Sequence, residues 1–363
     1  MRVLEFRDID KAMWSSLVTA SSTGTWFQTP DAYDFFASMP KLFNPFVIGL
    51  ENEGELRAVC VGYVTVEKNA VKQMMTRRAI IIGGPAIAND ATLEEVETLM
   101  RAVRNQFKIL DFRFKILNAP IYIETRNFND YSRWKEAFAK AGFEYKTHLN
   151  FHVDTSSVEV VEATLGKSRK RDIKTSFRDG AVIIEQPTID QVREYYAILD
   201  NLYRTKVKTP LFPLSFFEAL YHHPDGRFIL VGLPNAEGKT EIIGGTVCVA
   251  WGRKNINITH HTSNIATPSG VVYEWFVSGR DGEWKSIFPS SLATYAGIMY
   301  AAEHGCARFD MMGAGKPDEA YGVRDFKARF GGKEVEHGRF LCITRPLLYR
   351  IGVLGVKILK KLK

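Results

Sequence analysis

The chain has 363 residues, of which 45% are hydrophobic and 25% are charged, and its formal net charge is +7 at pH 7. This length is enough for two domains of ordinary size, and the composition excludes a disordered or fibrous chain. The positive charge suits an acidic partner, such as nucleic acid, a nucleotide-linked substrate or an anionic membrane, but it fits an ordinary solubility charge equally well.

The N-terminal stretch "MRVLEFRDIDKAMW" alternates charged and apolar residues and lacks the apolar core of a signal peptide. No run of eighteen apolar residues occurs, so the sequence predicts no transmembrane helix. The four cysteines lie far apart in apolar contexts, which predicts buried thiols in a reducing compartment. We therefore expect a cytoplasmic protein.

Two stretches of the chain resemble each other. "FVIGLENEGELRAVCVGYVTV" begins at Phe46 and "FILVGLPNAEGKTEIIGGTVCVA" begins at Phe228, and each is typical of a β-hairpin with a glycine-containing turn. Each follows a helix-like stretch ending in aromatic residues and precedes an amphipathic helix and a further strand, "FRFKILN" in the first half. The shared order predicts a duplicated α/β (α+β) unit, with a mainly antiparallel mixed sheet flanked by helices.

A basic segment, "GKSRKRDIKTSFRDG", occupies residues 166–180. Its six cations fall around most of a helix and are Lys167, Arg169, Lys170, Arg171, Lys174 and Arg178. A solvated helical face is the usual explanation for such a run. Contact with a polyanion is the alternative, because the charge is dense and of one sign.

Standard catalytic motifs are missing from the sequence. The stretch "FDMMGAGKPDEAYGVRDFKARFGG", residues 309–332, looks like a phosphate-binding loop, but Asp310 stands where that motif needs glycine and Pro317 follows Lys316. His260 and His261 lie in a strand-like pattern, where neighbouring side chains point to opposite faces and cannot converge on one metal ion. We therefore predict that the protein uses neither a metal nor a cofactor. It is either an enzyme that acts by binding and orienting its substrates, or a protein that only binds.

The C-terminal third resembles the signature of the FemA/FemB/FemX family. The matching pieces are Glu303-His304-Gly305, Phe309-Asp310-Met311-Met312-Gly313, and the run from Gly322 through Phe326-Lys327 to Phe330-Gly331-Gly332. "WFQTPDAYDFF", "RRAIIIGGP", the basic segment and "YYAILDNLYRTK" resemble further parts of the family, so the resemblance covers nearly the whole chain.

The resemblance implies two tandem GNAT-like domains, residues 1–152 with a returning segment 333–363, and residues 153–332. It also implies an aminoacyltransferase that moves an amino acid from aminoacyl-tRNA to an amine of a peptidoglycan precursor or a lipid-linked acceptor. Lys327, beside Phe326, matches the family lysine at the donor end. We predict that Lys327→Ala removes transferase activity and leaves thermal stability nearly unchanged, because a surface lysine contributes little to folding. The alternative for Lys327 is a surface lysine after a turn without a catalytic role.

Further site residues follow from the same resemblance. Tyr203 and Arg204 end the second-domain helix, and Trp26 and Gln28 belong to the N-terminal segment; these four are expected to bind substrate. His261 is expected to join them on a different ground, because one histidine of the pair in the strand-like pattern can face a cleft. A helix-capping role is the alternative for Arg204. The expected tRNA-binding residues are Arg169, Lys170 and Arg171.

Two departures from the family concern the acceptor: residues 33–37 lack a lysine that some members carry, and Asn118 replaces an acid. The pyrophosphate-binding signature of acyl-CoA-dependent GNAT enzymes is missing before both central helices, which disfavours acyl-CoA. The alternatives are a GNAT-type N-acyltransferase acting on an amino sugar or lipid-linked saccharide, and a non-catalytic homologue that binds tRNA or membrane.

The tail "RPLLYRIGVLGVKILKKLK" predicts a helix after Pro346. Its apolar residues fall on one face, and Arg350 and four lysines fall on the other. This pattern is typical of a helix lying on an anionic membrane, which would place the protein at the inner face of the membrane. A helix packed on the first domain fits the same pattern.

Overall fold

The computed structural model describes residues 1–67, 73, 76–107, 119–252 and 270–361, with side chains of the last helix described up to Leu354. The predicted strand "FRFKILN", Asn118 and His261 lie outside the described residues. The chain divides into two compact units, residues 1–148 with 336–363 and residues 149–335. The strand Leu149–Asp154, which contains the expected domain boundary at residue 152, belongs to the second unit.

Both units are built from strands and helices. The strands of the described residues are β1 (Arg2–Glu5), β2 (Phe43–Asn52), β3 (Glu55–Thr65), β4 (Ala79–Gly83), β5 (Ala86–Ile87), β6 (Tyr122–Asn127), β7 (Glu144–Lys146), β8 (Leu149–Asp154), β9 (Val182–Ile184), β10 (Gly226–Pro234), β11 (Thr240–Trp251), β12 (Val271–Gly279), β13 (Arg308–Asp310), β14 (Lys333–Glu336) and β15 (Arg339–Ile343). The helices are α1 (Lys11–Ala20), α2 (Pro30–Ala37), α3 (Leu93–Asn105), α4 (Lys135–Lys140), α5 (Val158–Thr164), α6 (Lys167–Arg178), α7 (Ile189–Leu202), α8 (Leu214–Tyr221), α9 (Pro289–Glu303), α10 (Gly322–Ala328) and α11 (Pro346–Lys361). Hereafter α6 is the basic helix, α10 the lysine helix and α11 the C-terminal helix.

The first unit contains an eight-stranded sheet in the order β1-β2-β3-β4-β6-β15-β7, with β5 paired to β3. Strands β4 and β6 run parallel, and the β2–β3 pair is the predicted hairpin. Its turn has positive φ at Glu53 and Gly54, as a two-residue hairpin turn requires. Strand β15 pairs with both β6 and β7, so the C-terminal segment completes this sheet.

The second unit contains a seven-stranded sheet in the order β14-β8-β13-β12-β11-β10-β9. The predicted hairpin β10–β11 is antiparallel, and β12 and β13 form the parallel pair around α9. Counted from β9, this order repeats the order of the first sheet from β1, with the parallel pair at the same place. The predicted fold of two mixed sheets flanked by helices is confirmed.

Each unit has its own apolar core. In the first unit α3 and α4 pack on the sheet around Leu99 and Phe138, and in the second unit α9 packs around Phe309. Helix α9 begins at Pro289, and Gly305 follows its end with φ +69°, the left-handed conformation that favours glycine at this position. The four cysteines are buried free thiols, as predicted.

Candidate active site

The glycine loop, residues 311–316, follows β13 in the second unit and holds the side chain of Lys327. Lys327 is 8% exposed. Its Nζ donates hydrogen bonds to the carbonyl oxygens of Met311 and, at 2.8 Å, Gly313. The interpretation of Lys327 as a surface lysine is therefore wrong.

A second cation of the lysine helix also caps this loop. Arg324 Nε donates to the carbonyl oxygen of Ala314 at 3.0 Å, and its guanidinium reaches the carbonyl oxygens of Lys316 and Pro317. The backbone carbonyls of the loop therefore accept from side-chain cations of the same unit. This arrangement differs from a phosphate-binding loop, in which backbone N–H groups face the ligand.

Side chains from β8 and β13 hold the N–H groups of the glycine loop. Asp310 Oδ1 accepts from the backbone N–H of Met312 at 2.8 Å, and Asn150 Oδ1 accepts from Gly313 N–H at 2.7 Å. Asn150 also donates to Asp310 at 2.7 Å, and His152 Nε2 lies 3.1 Å from Asp310 Oδ2. Met312 has φ +53°, which costs a non-glycine residue about 1–2 kcal/mol, so these contacts stabilise a strained turn.

Glu274 lies where β12 and β13 separate. The last paired residues of the two strands are Tyr273 and Asp310. Glu274 follows Tyr273 on β12, and Met311 follows Asp310, the last residue of β13. The Glu274 carboxyl is buried and accepts from Thr294 Oγ1 at 2.9 Å and from Thr246 Oγ1 at a longer 3.5 Å. A buried carboxyl thus lies at the same strand end as the loop carbonyl that binds Lys327.

The pKa values of the three buried ionisable groups are shifted. Burial lowers the pKa of Lys327, although the charges of Glu274 and Asp310 act to raise it. Burial raises the pKa of Glu274, and the charge of Lys327 opposes this only in part. Burial also acts to raise the pKa of Asp310, but His152, Arg308 and Asn150 together hold it below its usual value. The two carboxyls therefore differ in how readily they take up a proton, an arrangement found in active sites.

Arg169 does not lie on the surface as the predicted RNA contact requires. It is 6% exposed, and its Nη1 donates to Asp172 at 3.1 Å and to Ser291 Oγ at 2.8 Å. Its guanidinium carbon lies 4.4 Å from the ring centroid of Phe326 and 5.0 Å from that of Phe330. The prediction for Arg169 is corrected: the residue attaches the basic helix to the lysine helix, while Lys170 and Arg171 are exposed.

Phe326 is therefore part of this junction. Its ring packs edge-on to Phe330 at 5.2 Å and contacts the core of the second unit. The Gly166 N–H donates to the carbonyl oxygen of Arg329 at 3.1 Å, which adds a backbone contact between the same two segments. Phe326 thus fixes the position of the lysine helix on which Lys327 lies.

Tyr203 and Arg204 lie in a single π-helical turn, Tyr203–Val207, at the end of α7. Burial, and the neighbouring Tyr321, raise the pKa of Tyr203. Tyr321 in turn lies over the glycine loop, since a Cβ on Gly315 would lie 2.8 Å from its ring. The Arg204 side chain is 78% exposed and lies 3.5 Å from Asp200. The structure thus places Tyr203 near the glycine loop and leaves the Arg204 guanidinium exposed.

Trp26 and Gln28 are core residues of the first unit. Trp26 is fully buried and packs edge-on to Phe27 and Phe35. Gln28 is also fully buried; its Nε2 donates to the carbonyl oxygens of Val61 and Ile82, and its Oε1 accepts from Val61 N–H at 2.8 Å. The prediction that these two residues bind substrate is corrected, because their side chains are occupied in the core.

Sequence reasoning missed Glu274, Asn150 and His152. Asn150 and His152 alternate along β8, a period-2 polar pattern that marks one face of a strand. Glu274 is the single acid in the apolar strand "VVYEWFV", and this position could have predicted a buried carboxyl. Among the described residues no group of three or more His, Cys, Asp or Glu side chains is arranged to hold a metal ion.

The FemAB family model matches residues 263–354, the segment with the glycine loop and the lysine helix. Over this segment the chain is similar to the FemAB family. The predicted resemblance of this segment to the family is confirmed. No curated protein sequence matches the chain.

Solved structures share the fold of this chain. It is similar to FemX at 12% identity and a TM-score of 0.67, over 97% of this chain and 99% of that one. A tandem GNAT protein from the clavulanic acid biosynthesis pathway is 10% identical over 94% and 98% of the two chains, with a TM-score of 0.55. L-PGS from Bacillus licheniformis is 11% identical over 97% of both chains, with a TM-score of 0.51. At these identities the likeness shows the fold.

Proposed function

We propose that this FemAB-like chain moves an amino acid from aminoacyl-tRNA to the amine of a peptidoglycan precursor. The observation that carries this proposal is the junction between the basic helix and the lysine helix. Arg169 packs 4.4 Å from the Phe326 ring, and Phe326 precedes Lys327 in the chain. RNA bound on the outer face of the basic helix would therefore lie on the same compact unit as Lys327.

The proposed chemistry needs a neutral attacking amine and a polarised ester. A lysine-type amine has a pKa of about 10.4, so it must lose a proton before attack. The amine nitrogen then bonds to the ester carbonyl carbon, the bond to the ribose oxygen breaks, and that oxygen leaves with a proton as a hydroxyl group. Most of the acceleration comes from holding the two reactants in position.

Lys327 supplies a positive charge at this point. An ammonium has three N–H donors, and the carbonyl oxygens of Met311 and Gly313 accept two of them. The third is free to donate to an oxygen of the donor, where it stabilises developing negative charge. Tyr203 and the exposed guanidinium of Arg204 fit the role of acceptor contacts, since arginine binds carboxylate and phosphate groups with two N–H groups.

The experiment compares charged tRNA with acyl-CoA, each incubated with soluble and lipid-linked peptidoglycan precursors and followed by mass spectrometry. The proposal is supported if the wild type transfers an amino acid from charged tRNA and Lys327→Ala does not. Transfer from acyl-CoA alone supports the N-acyltransferase alternative. Binding of RNA or membrane without transfer supports the non-catalytic alternative.

The C-terminal helix fits contact with an anionic membrane. The side chains of Leu347, Ile351 and Leu354 are exposed along one face, while Tyr349 packs edge-on to Tyr122 of the first unit at 5.8 Å. The helix is therefore attached through one face and presents apolar side chains on another, beside Arg350. No helix of the described residues is long and apolar enough to cross a membrane. Surface contact would bring the enzyme to a lipid-linked acceptor.

A further inference from the structure

The outer face of the basic helix carries one aromatic residue among cations. The exposed residues of this helix are Lys167, Lys170, Arg171, Lys174, Phe177 and Arg178. Lys170, Lys174 and Phe177 follow one another at spacings of four and three, so they are neighbours on the helix surface. The only acid of the helix, Asp172, is buried against Arg169. The exposed residues of the helix therefore carry five positive charges, of which Arg178 is paired at 2.7 Å with Asp179, the residue that follows the helix.

Phe177 is 43% exposed, although the same helix buries Ile173 in the core. A single exposed apolar side chain is ordinary on a protein surface. Phe177 differs from such a residue in its location, because its neighbours on the surface are cations whose charge is complementary to that of a polyanion. RNA combines phosphates, which bind cations, with bases, which stack on aromatic rings.

We propose that Phe177 stacks on an unpaired base of RNA whose phosphates lie along Lys170 and Lys174. This inference rests on the proposed function and names the part of the donor that this face recognises. In a duplex the base faces are covered by their neighbours, so this surface selects single-stranded RNA, such as a loop or an unpaired end. The junction through Arg169 attaches the basic helix to the lysine helix, and the side chains of the outer face stay accessible to RNA.

A membrane is the less suitable partner for this face. A helix that lies in a membrane surface buries a continuous apolar stripe. Phe177 is the one apolar residue among the exposed residues of the basic helix, whereas the C-terminal helix exposes Leu347, Ile351 and Leu354 together. The charge of the face and its single flat ring fit RNA better.

The test measures binding of the full-length protein to three RNAs of about 12 nucleotides, a length within the range of single-stranded binding sites. They are an unstructured strand, the same strand with abasic positions, and its blunt duplex. The variants are Phe177→Leu, which keeps an apolar side chain without a ring, and Phe177→Trp, which keeps the ring. Leu93→Ala, a change at an exposed apolar residue of the first unit, is the matched control.

We expect Phe177→Leu to weaken binding of the unstructured strand about tenfold, because stacking is worth about 1–3 kcal/mol per base. Phe177→Trp and Leu93→Ala should bind like the wild type. The salt dependence should be unchanged in Phe177→Leu but reduced by about one unit of slope in Lys170→Ala, which loses a phosphate contact. The abasic strand should bind wild type and Phe177→Leu equally.

Equal binding of the unstructured strand by wild type and Phe177→Leu overturns the inference, as does a preference for the duplex. Loss of anionic-vesicle binding in Phe177→Leu would assign the residue to a membrane and overturn it as well. Transfer from charged tRNA is measured with the same variants. Normal transfer with no base dependence would overturn the role of Phe177 alone, whereas base-dependent binding without any transfer would overturn the proposed function alone.

Discussion

Lys327 Nζ donates a hydrogen bond to the carbonyl oxygen of Gly313 at 2.8 Å and so joins the candidate catalytic residue to the glycine loop. The same nitrogen also bonds to the carbonyl oxygen of Met311. Lys327 therefore contributes to the fold as well as to the proposed chemistry. A deletion of its side chain affects both, and only a variant that keeps the charge can separate them.

The first prediction compares Lys327→Ala with Lys327→Arg. Removal of the side chain leaves the buried carbonyl oxygen of Met311 and the part-buried carbonyl oxygen of Gly313 without this donor, and one unsatisfied buried group costs about 1–3 kcal/mol. Lys327→Ala should therefore lose both transfer activity and several degrees of melting temperature. Lys327→Arg keeps a positive charge and donors and should recover more stability than activity. Calorimetry and the transfer assay measure the two effects.

Lys316→Ala is the control, because Lys316 is an exposed lysine of the same loop that pairs with Glu319 at 2.9 Å. Exposed ion pairs contribute little, so this variant should match the wild type in stability and activity. A Lys327→Ala protein with wild-type turnover would remove Lys327 from the mechanism.

The second prediction concerns Glu274→Gln and pH. The Glu274 carboxylate raises the pKa of Lys327, against the lowering effect of burial. Glutamine removes the charge but keeps an oxygen for Thr294, so Lys327 should lose its proton at a lower pH. If transfer needs the ammonium, the alkaline limb of the pH–rate profile should move to lower pH. When Glu274→Gln is added to Lys327→Arg, the alkaline limb of the pH–rate profile should not shift relative to Lys327→Arg alone.

The stability of the protein should also depend on Glu274. Its native pKa is raised by burial, so the native state holds this proton more tightly than the unfolded chain. The free energy of unfolding therefore falls as pH rises from the ordinary glutamate pKa of about 4.3 to the raised native value. Denaturation of Glu274→Gln across that pH range should show a smaller decrease in the free energy of unfolding, because glutamine does not titrate. An identical pH dependence in both proteins would show that Glu274 does not titrate there.

The third prediction separates Arg169 from Lys170. Arg169→Met leaves the buried Asp172 without its Arg169 partner and should lower the free energy of unfolding by about 3 kcal/mol. Lys170→Glu changes an exposed side chain and should alter stability by less than about 0.5 kcal/mol, yet weaken RNA binding. Urea denaturation and RNA titration at several salt concentrations test both. Weaker RNA binding by a fully stable Arg169→Met protein would restore Arg169 as an RNA contact.

The fourth prediction concerns Gln28. Gln28→Leu removes the hydrogen-bond partner of Val61 N–H and of the carbonyl oxygens of Val61 and Ile82, all in the first sheet. We expect a loss of about 3 kcal/mol in stability and an unchanged KM in the protein that remains folded. Ser15→Ala, at an exposed position of α1, is the control. A raised KM at normal stability would return Gln28 to substrate binding.

The fold could be predicted because its signals are local. Alternating apolar residues on both sides of a glycine-containing turn predict the β2–β3 and β10–β11 hairpins, and their repetition predicts two similar units. The position of β15 between β6 and β7 has no local signal, since the pairing joins residues about 200 apart in the chain. Only the family resemblance predicted that the C-terminal segment returns.

The site could be predicted only in part, because burial is a tertiary property. Arg169 and Lys170 are adjacent cations in the sequence, yet one lies against aromatic rings and the other in solvent. No pair of carboxylates stands out in the sequence, because Glu274 and Asp310 are separated by α9 and meet only through the parallel pairing of β12 and β13. Helical periodicity identifies a charged face but does not show which cation is buried.

The last prediction concerns the C-terminal helix and uses a triple variant, Leu347→Ser, Ile351→Ser and Leu354→Ser. The three side chains are exposed, with Leu347 at 72%, so serine should hardly change stability, whereas loss of the apolar stripe should abolish sedimentation with anionic vesicles. Wild type should sediment with anionic but not neutral vesicles, since cations beside the stripe add attraction to anionic lipids. A chain ending at Thr344 is the companion variant, and it also loses the contact between Tyr349 and Tyr122, so it should be less stable. Equal sedimentation of wild type and the triple variant would show that the exposed stripe does not bind lipid. If neither binds and the truncated chain unfolds or aggregates, the helix serves the first unit alone.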